Sequence, residues 1–341
     1  MKLINLEMMQ RAQQRQNTLT KPPGSLGQLE HIAIQLAGCQ GVLCPQIKSP
    51  WISVFAADHG IAESGVSAFP AVVTQEMVKN FSAGGAAITV IAQQEKASFE
   101  VVDVGVLNDV SPLPNLISNR VSAGSFNFAK QPAMTDAMLR SALQVGKMAV
   151  DRALNAGADL FIGGEMGIGN TSAATAIISQ ICQQPIADLV GRGTGVNDQQ
   201  LHHKQRVLED ALVLHQAEMD SPEAVLRCVG GLDIAALTGA YLECGRVGLP
   251  IVVDGVIACA AALVAYEMQP QLKPWMLFGH QSVEPAQQSV FKKLEVTPIM
   301  DLAMRLGEAS GAAMAIPIIR LACALHANMA TFEEANVSDA N

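Results

Sequence analysis

Two glutamates lie beside glycines in otherwise apolar stretches of the sequence. One is Glu165 in GGEMGIGNTS (163–172), and the other is Glu308 in RLGEASG (305–311), between two apolar segments. Burial away from water disfavours the charged form of a carboxyl group and raises its pKa, which suits a general base that works near neutral pH. Glu308 is therefore a candidate base. The alternatives are that it lies in the first turn of the last helix, stabilised by the helix dipole, or forms an ion pair with Arg305.

Glycine-rich segments at three places could approach and bind an anion. The first ends in Asn170, Thr171 and Ser172, which open a predicted helix whose free N–H groups could hold a phosphate. The second, GRGTG (191–195), precedes a helix that carries Lys204. Together with a third pair of glycines they favour an anionic or nucleotide ligand. The candidate ligand-binding residues of these segments are Gly167, Gly169, Asn170, Thr171, Ser172, Gly191, Gly193, Gly195, Lys204, Gly230 and Gly231.

Acidic residues also follow two of the predicted strands. Asp58 comes shortly after WISVFA (51–56), and Asp254 comes directly after PIVV (250–253). In doubly wound sheets ligands bind at the carboxyl ends of the strands, so both aspartates are candidates for a site there. The alternative is that each aspartate caps the helix that follows it, as aspartate does at many strand-to-helix turns.

The sequence lacks several motifs that would indicate a different chemistry. It contains no G-x-x-x-x-G-K-[ST] run of a Walker-type nucleotide triphosphatase and no G-x-S-x-G hydrolase elbow. GIG (167–169) resembles part of a dinucleotide fingerprint, but Ser172 replaces its third glycine. His202 and His203 are adjacent and would face different ways on a helix, so the histidines and cysteines offer no metal-ligand spacing. We therefore expect no metal and a site built from carboxylates, amides and one lysine.

Short apolar strands alternate with longer helices through most of the chain. This alternation predicts an α/β fold with a doubly wound, mainly parallel sheet flanked by helices. The predicted strands are 51–56, 99–104, 159–162, 250–253 and, more weakly, 275–278. The predicted helices are 71–94, 136–156 with Thr135 as N-cap, 171–182, 199–217, 232–244, 255–267 and 283–294.

The two ends of the chain lack strand signals. Residues 3–40 and 298–329 each predict two helices, broken at KPPGSLG (21–27) and at Gly307 respectively. We therefore expect the terminal helices to pack together beside the sheet. The predicted division is an α/β nucleotide-binding domain over 45–295, a small helical subdomain made of 1–44 and 296–330, and a frayed tail over 331–341.

The composition limits the partners and the compartment. Half of the 341 residues are hydrophobic, only 16% are charged, and the net charge is −9 with no block of lysine and arginine, so nucleic acid is not an expected partner. The seven cysteines form no C-x-x-C pair, which indicates a reducing compartment. The N-terminus lacks the apolar centre of a signal peptide, and the apolar runs 249–266 and 312–330 contain ionisable residues. We expect a cytoplasmic protein without a membrane span.

Taken together, the motifs resemble those of the nicotinate-nucleotide:dimethylbenzimidazole phosphoribosyltransferase family, which makes the lower-ligand nucleotide of cobalamin. The resemblance is near full-length, because the motifs occur in the family's order from near residue 19 to near residue 330. The matching segments are LTKPPGSLGQLE (19–30), ADHGIAESGVSAFP (57–70), GGEMGIGNTSAA (163–174), VGRGTG (190–195), GGLDIAALTG (230–239), VVDG (252–255), GHQSVEP (279–285) and MRLGEASGAAMA (304–315).

The resemblance implies transfer of phosphoribose from nicotinate mononucleotide to 5,6-dimethylbenzimidazole, with nicotinate and α-ribazole 5′-phosphate as products and no cofactor. It implies that Glu308 is the catalytic base and that Glu165 is the second active-site glutamate. The phosphate would rest on the glycine loops and the helix start at 170–172, with Lys204 as counter-charge. The phosphate- and ribose-binding residues that the matched motifs add are Asp254, Ser282 and Gly307.

An apolar pocket that holds one basic carboxylate suits a flat benzimidazole ring whose N–H must lose a proton as the other nitrogen attacks. The candidate walls, which could also be plain core, are Phe69, Pro70, Met77, Met166 and Leu306. Phe69 and Met77 align where some members of the family carry polar residues, so a related base, such as a purine or a phenol, stays open as acceptor. Asp58 and His59 match the motif without an assigned role.

Other functions stay open on the sequence alone. One is a nucleotide-binding regulatory module without catalysis, and another is a phosphoribosyltransferase with another natural acceptor base. A transferase that uses the pyrophosphorylated sugar would show paired acids ahead of a Thr-rich loop, and the sequence has none. We expect small-molecule substrates and a homodimer, in part because few charges are available to cover the surface.

Overall fold

The computed structural model describes residues 1–193, 195 and 197–338. The strands are β1 (Pro50–Ala57), β2 (Ser98–Gly105), β3 (Leu116–Ser118), β4 (Leu160–Met166), β5 (Ile251–Val253), β6 (Met276–Phe278), β7 (His280–Ser282) and β8 (Met300–Met304). The α-helices are α1 (Leu6–Thr18), α2 (Gln28–Gln40), α3 (Val72–Ala83), α4 (Ala87–Gln94), α5 (Asp136–Asn155), α6 (Asn170–Cys182), α7 (Ile186–Leu189), α8 (Asp198–His215), α9 (Pro222–Val229), α10 (Leu232–Val247), α11 (Val256–Met268), α12 (Ala286–Leu294), α13 (Ser310–Met314), α14 (Ile316–Asn328) and α15 (Phe332–Ala335).

Strands β1 to β6 form one parallel sheet in the order β3-β2-β1-β4-β5-β6. The order reverses between β1 and β4, and at such a reversal the loops that follow the two strands diverge and open a crevice for a ligand. β7 and β8 form a separate two-stranded parallel sheet. The prediction of a doubly wound, mainly parallel sheet is confirmed.

Alternate residues of the strands pack into two hydrophobic cores on opposite faces of the sheet. Phe55 and Phe161 face one core together with α5, α6, α10 and α11, whereas Ile52 and Ile162 face the other together with α3, α4 and α14. Burial on both faces explains why these strands read as continuous apolar runs. Two buried acidic residues interrupt the apolar run of β2: Glu100 pairs with Arg152 of α5 at 2.8 Å, and Asp103 pairs with Arg120 at 3.7 Å.

The five predicted strands are present with small shifts at their ends, and Thr135 caps α5 through the N–H of Met138. The predicted helix over 71–94 is two helices, because Gly84 adopts a left-handed φ of 80° and ends α3. β3 and β7 lie outside the predicted strands. Both are three residues long, and such short runs carry almost no periodicity.

The prediction of two helices over 298–329, broken at Gly307, is wrong in its first half. Strand β8 occupies that part and pairs with β7, and the helices begin only at Ser310. The residues MDLAM favour a helix by intrinsic propensity, but pairing with β7 outweighs that preference. Most of β8 is exposed, so no pattern of buried residues marks it as a strand.

The two ends of the chain meet in space. α2 packs against both α1 and α14, and the Arg15 side chain donates to the carbonyl groups of His326 and Ala327 at 2.8 and 2.9 Å. These contacts support the division that we propose, with a helical subdomain from 1–44 and 296–330 beside a sheet domain over 45–295.

The frayed tail predicted over 331–341 is wrong at its start. Thr331 and Glu334 form a capping box around α15, and Leu19 pairs with Thr331 in an antiparallel bridge. Reciprocal capping satisfies the free N–H groups that a short helix exposes at its start, which the polar composition alone does not reveal. Residues 339–341 lie outside the described residues.

One helical stretch, Ser310–Asn328, is long and apolar enough to cross a membrane by length and composition, but more than half of it is buried inside the fold. Arg320 within it binds Glu95 at 2.8 Å. The other apolar run contains α11, which packs against α6 and α10 and is almost entirely buried. Both runs therefore belong to the protein core, as predicted.

Candidate active site

A cavity of about 260 Å³ opens at the carboxyl end of the sheet, where the loops after β1 and β4 diverge. Its volume is near the lower end of the range of small-molecule sites, which begins at about 300 Å³. The wall is mostly apolar, with a few charged and polar groups. It consists of Phe69, Glu165, Met166, Gly167, Ile168, Asn170, Thr171, Gly193, Gly255, Val256, Ile257, His280, Ser282, Glu284, Arg305, Leu306, Gly307 and Glu308.

Glu308 lies on a turn of unusual backbone shape. Gly307, Glu308 and Ala309 have left-handed φ angles of 84°, 61° and 66°. For a residue with a side chain this conformation costs about 1 to 3 kcal/mol, so packing must hold it. The turn sits directly on Gly164 of β4, where a Cβ atom would lie 2.4 Å from the backbone nitrogen of Ala309. The bare glycine therefore allows the turn to bring Glu308 into the cavity.

The carboxyl group of Glu308 is buried in the cavity wall. Burial, reinforced by the negative charge of Asp254, raises the pKa of Glu308 to about 7. Neither alternative for this residue applies. α13 begins only after its N-cap, Ala309, and no ion pair among the described residues joins Glu308 to Arg305. Glu308 is therefore present in both its ionised and its protonated form near neutral pH.

Glu165 lies near the end of β4 and is also buried. Its Oε2 accepts a hydrogen bond from Nδ2 of Asn170, and its Oε1 accepts one from the N–H of Glu308 at 3.4 Å. Burial, followed by the negative charges of Asp233 and Asp254, raises the pKa of Glu165 well above its ordinary value. The site therefore favours the protonated form of this carboxyl group.

The two aspartates that follow strands do not cap the next helix. Asp254 accepts from the N–H of Ala312 in α13 at 2.7 Å, and its Oδ1 lies 3.5 Å from Nε2 of His280. Burial lowers the pKa of His280, but the Asp254 carboxylate outweighs burial and the net shift is upward. Asp58 accepts from the N–H of Leu107 at 2.7 Å. Both aspartates hold a neighbouring segment against the end of the sheet.

A buried lysine lies behind the start of α6. Nζ of Lys204 donates to Oγ1 of Thr171 at 3.0 Å and to the carbonyl group of Gly191 at 3.5 Å. Burial lowers the pKa of Lys204 to about 8, and the charge of Glu284 opposes that shift. Oε1 of Glu284 in turn accepts from the N–H of Gly193 at 3.0 Å. Lys204 and the N–H of Gly193 therefore already interact with an anion, the Glu284 carboxylate.

The structure brings some of the predicted site residues into the cavity wall and leaves others outside it. In the wall are Glu165, Glu308, Gly167, Asn170, Thr171, Gly193, Ser282, Gly307, Phe69, Met166 and Leu306. Outside it are Gly169, Ser172, Gly191, Gly195, Lys204, Gly230, Gly231, Asp254, Pro70 and Met77. Of the second group, Lys204 and Gly191 adjoin the wall, whereas Met77 packs against a hydrophobic core.

Two of the predicted ligand glycines make room for a side chain of the protein. A Cβ atom at Gly231 would lie 2.1 Å from Cε1 of His59, and one at Gly167 would lie 2.9 Å from Cδ2 of the same ring. A Cβ atom at Gly230 would lie 2.3 Å from the carbonyl oxygen of Leu226. In this structure the pair at 230–231 therefore serves internal packing.

Three charged residues of the wall were not predicted, namely His280, Glu284 and Arg305. All three lie in segments that carry the family resemblance, and no local spacing distinguishes them from surface residues. Within the described ranges, no group of three or more His, Cys, Asp and Glu side chains could hold a metal ion, and the seven cysteines are free thiols.

Comparison with known proteins places the whole chain in one family. A family model described as phosphoribosyltransferase matches residues 1–337. A Pseudomonas putida protein named nicotinate-nucleotide-dimethylbenzimidazole phosphoribosyltransferase is 52% identical over 336 residues, which cover 98% of this chain and 96% of the relative. A protein of the same name from Pseudomonas fluorescens is 49% identical over 338 residues, covering 99% and 96%.

The fold comparison agrees with the sequence comparison. The crystal structure of the nicotinate-nucleotide-dimethylbenzimidazole phosphoribosyltransferase of Thermus thermophilus superposes with a TM-score of 0.94 at 39% identity, over 99% of this chain and 100% of that one. The chain belongs to the nicotinate-nucleotide-dimethylbenzimidazole phosphoribosyltransferase family.

Proposed function

We propose that the protein transfers phosphoribose from nicotinate mononucleotide to 5,6-dimethylbenzimidazole, giving nicotinate and α-ribazole 5′-phosphate. One ring nitrogen of the base forms a bond to C1′ of the ribose while the bond from C1′ to the nicotinate nitrogen breaks. The electron pair of the broken bond neutralises the pyridinium ring, so the leaving group needs no acid. Attack from the opposite face converts the β-linkage into an α-linkage.

The observation that carries this proposal is the carboxyl group of Glu308, buried in an apolar cavity with a pKa raised to about 7. When the base attacks through one nitrogen, its other nitrogen loses a proton. The ionised Glu308 carboxylate accepts that proton, and a pKa near the working pH suits a group that must gain a proton and release it in each cycle.

Glu165 and its neighbours supply electrostatic stabilisation. Positive charge builds on the ribose as the bond to nicotinate breaks. Glu165 and Glu308 lie in the cavity wall and the negative charge of Asp254 acts on both, so this fixed acidic cluster stabilises positive charge there. Glu165 either contacts this charge directly or binds the ribose hydroxyl groups.

The 5′-phosphate binds at the start of α6. Thr171 and Gly193 line the cavity there, and Lys204 lies directly behind Thr171. A helix N-terminus and a nearby ammonium group both favour an anion. The phosphate would displace the Glu284 carboxylate from the N–H of Gly193, and its charge would raise the pKa of Lys204.

The base binds among apolar side chains of the cavity wall. Phe69, Met166 and Leu306 line the cavity, and Ile168 and Val256 add to the same surface, which supports this position for the base. Phe69 and Leu306 are about half-exposed, so a flat ring can pack on them. An apolar surface sorts acceptors by shape rather than by hydrogen bonding, which supports a range that includes related bases.

The substitution Glu308→Gln tests the proposal, with nicotinate release measured by chromatography from nicotinate mononucleotide and dimethylbenzimidazole. Removal of a general base slows turnover by about 100-fold to 10,000-fold, so we expect a loss in that range. Glu243→Gln is a matched control, because Glu243 is a buried glutamate that pairs with Arg246 outside the cavity. Binding of the nucleotide without nicotinate release in the wild-type protein would indicate a binding module instead.

We also propose that the protein works in the cytoplasm. Seven free thiols are stable in a reducing compartment. Both substrates are small soluble molecules, which such a compartment supplies directly.

A further inference from the structure

Two buried ionisable side chains next to the cavity have no part in the mechanism above. His59 follows β1, and Asp233 lies in the first turn of α10. Their side chains are fully buried, and Nε2 of His59 lies 2.8 Å from Oδ1 of Asp233. Burial of an acidic side chain without partners is costly, so this contact helps to hold Asp233 in place.

The surrounding backbone is shaped around the imidazole ring. A Cβ atom at Gly231 would lie 2.1 Å from Cε1 of the ring, and one at Gly167 would lie 2.9 Å from Cδ2. Glycine on two separate segments therefore makes room for the His59 ring, and at Gly167 the carbonyl oxygen of Ala57 is closer still, at 2.3 Å. Such a close fit fixes the orientation of the ring, with Nε2 held 2.8 Å from Oδ1 of Asp233.

Asp233 also contacts Asn170, which lies closer to the reacting groups. Its Oδ2 lies 3.4 Å from Nδ2 of Asn170, and the same Nδ2 donates to Oε2 of Glu165. An amide NH₂ group has two hydrogens, one for each of these carboxyl groups. Oε1 of Glu165 accepts from the N–H of Glu308, so the contacts run without a break from His59 to the backbone of the proposed base.

This arrangement also determines which atom of Asn170 faces the substrate. Asn170 lines the cavity, and its NH₂ group is turned towards Glu165 and Asp233. Its Oδ1 atom is therefore the one left to accept a hydrogen bond in the cavity. A rotation of the amide by half a turn would turn both N–H donors away from Glu165 and Asp233 and bring the amide oxygen against Asp233.

We propose that His59 and Asp233 are positioning residues of the phosphoribosyl transfer: His59 holds Asp233, Asp233 holds the Asn170 amide, and Asn170 holds the Glu165 carboxyl group. The assignment of this role in catalysis rests on the proposed function. The network itself stands on the contacts alone, so the two can be tested separately.

Charge supports the proposal. The acidic groups that face Glu165 are Asp233 from α10, Asp254 from the end of β5, and Glu308 from the turn before α13. Behind the two aspartates lie the imidazole rings of His59 and His280. Burial raises the pKa of Glu165 most, and the negative charge of Asp233 is the next cause. Asp233 therefore affects both the position and the protonation of Glu165.

The first experiment separates positioning from simple stability. His59→Leu and Asp233→Asn should lower kcat by about 10- to 100-fold, the usual loss when a residue that orients an active-site group is changed. Binding of nicotinate mononucleotide, measured by calorimetry, should change by less than about threefold, because neither residue lines the cavity. His59→Gln keeps an N–H donor for Asp233 and should recover most of the rate. His215→Gln is the matched control, since His215 is a buried histidine outside the cavity whose Nε2 atom hydrogen-bonds to the carbonyl group of Phe128.

Two outcomes of that experiment would overturn the proposal. One is a folded His59→Leu protein that turns over at the wild-type rate. The other is a set of variants in which rate, nucleotide binding and melting temperature fall together and His59→Gln recovers nothing, which is the pattern of a structural role only.

The second experiment does not need turnover. The infrared band of the protonated Glu165 carboxyl group is identified by its absence in Glu165→Gln, and its disappearance is followed as pH rises. In Asp233→Asn the band should disappear at lower pH, because a negative charge next to Glu165 has been removed. A midpoint that is unchanged or higher contradicts the network. If the wild-type protein shows no transferase activity but Asp233→Asn shows the expected infrared shift, the proposed function is refuted and the network is supported.

Discussion

Glu308 combines a left-handed backbone conformation with a carboxyl group whose pKa lies near neutral pH. Both features oppose stability, and both follow from placing an acidic side chain in an apolar cavity at the end of the sheet. Proteins keep such arrangements at functional sites, where strain and burial serve the chemistry. This residue therefore gives the sharpest predictions.

Turnover should rise with pH through about 7, since Glu308 must be ionised to accept a proton. Asp254→Asn removes a negative charge that raises the pKa of Glu308, so the rising part of the profile should move to lower pH. The measurement is kcat for nicotinate mononucleotide and dimethylbenzimidazole across the pH range. A rate that stays constant between about pH 5.5 and 8.5, or a profile that Asp254→Asn leaves in place, contradicts the assignment.

Glu308→Gln should also make the protein more stable at alkaline pH. The pKa of Glu308 rises from 4.5 to about 7 on folding, so the folded state favours the protonated form, and this advantage is lost as pH rises through 7. At about pH 8 the neutral amide should therefore raise the free energy of unfolding by about 1 to 3 kcal/mol. Denaturant titration at about pH 8 measures the gain, and a second titration at about pH 4.5 should show none. Equal stability of the two proteins at the higher pH would mean that the carboxyl group is not desolvated.

At the scale of elements, the position of Glu308 depends on one glycine of β4. Gly164→Ala would place a Cβ atom 2.4 Å from the backbone nitrogen of Ala309, so the turn must move away from the sheet. A displacement of about 1 Å at a reacting group can cost about 100-fold in rate, and we expect a loss of that order. Nicotinate release measures it.

The neighbouring glycine of the same strand provides the control. A Cβ atom at Gly163 would meet the end of the Leu237 side chain at 2.2 Å on the opposite face of the sheet. The Leu237 side chain can move away by changing its rotamer, whereas the backbone nitrogen of Ala309 cannot move without the whole turn. Gly163→Ala should therefore lower the melting temperature and leave kcat within about threefold of the wild type. Equal losses of rate in the two variants would show that Gly164 acts through general stability only.

The same turn shows where prediction from sequence stops. Strands β1 and β4 are buried on both faces, so each is a continuous apolar run that can be recognised in a single sequence. The glycines that follow these runs indicate the ligand-binding edge of the sheet. The left-handed conformation of Ala309 has no local signal, because it is imposed by contact with Gly164 across the fold. Likewise, no sequence feature near His59 indicates its contact with Asp233. The two residues lie far apart in sequence and meet only once α10 packs beside β1.

At the scale of the whole molecule, scarcity of charge and the chemistry of the site are connected. With only 16% charged residues, the interior around the cavity contains few groups that could neutralise a buried carboxylate. Among the described residues, Lys204 lies behind the start of α6 and Arg305 lies in the wall. Glu165 and Glu308 therefore keep raised pKa values, and the acidic cluster stabilises positive charge instead of being cancelled by arginine.

Exposed apolar side chains at the mouth of the cavity predict that the protein assembles with a second copy. Phe69 and Leu306 in the wall are 49% and 54% exposed. Apolar side chains gathered at one place on a surface mark an interaction site, and a small base can cover only part of them. We therefore propose that the protein is a homodimer. Light scattering coupled to size-exclusion chromatography should give twice the chain mass of 35.9 kDa at concentrations well above the nanomolar range. A mass of 35.9 kDa at every concentration would show that the exposed apolar side chains belong to the substrate site alone.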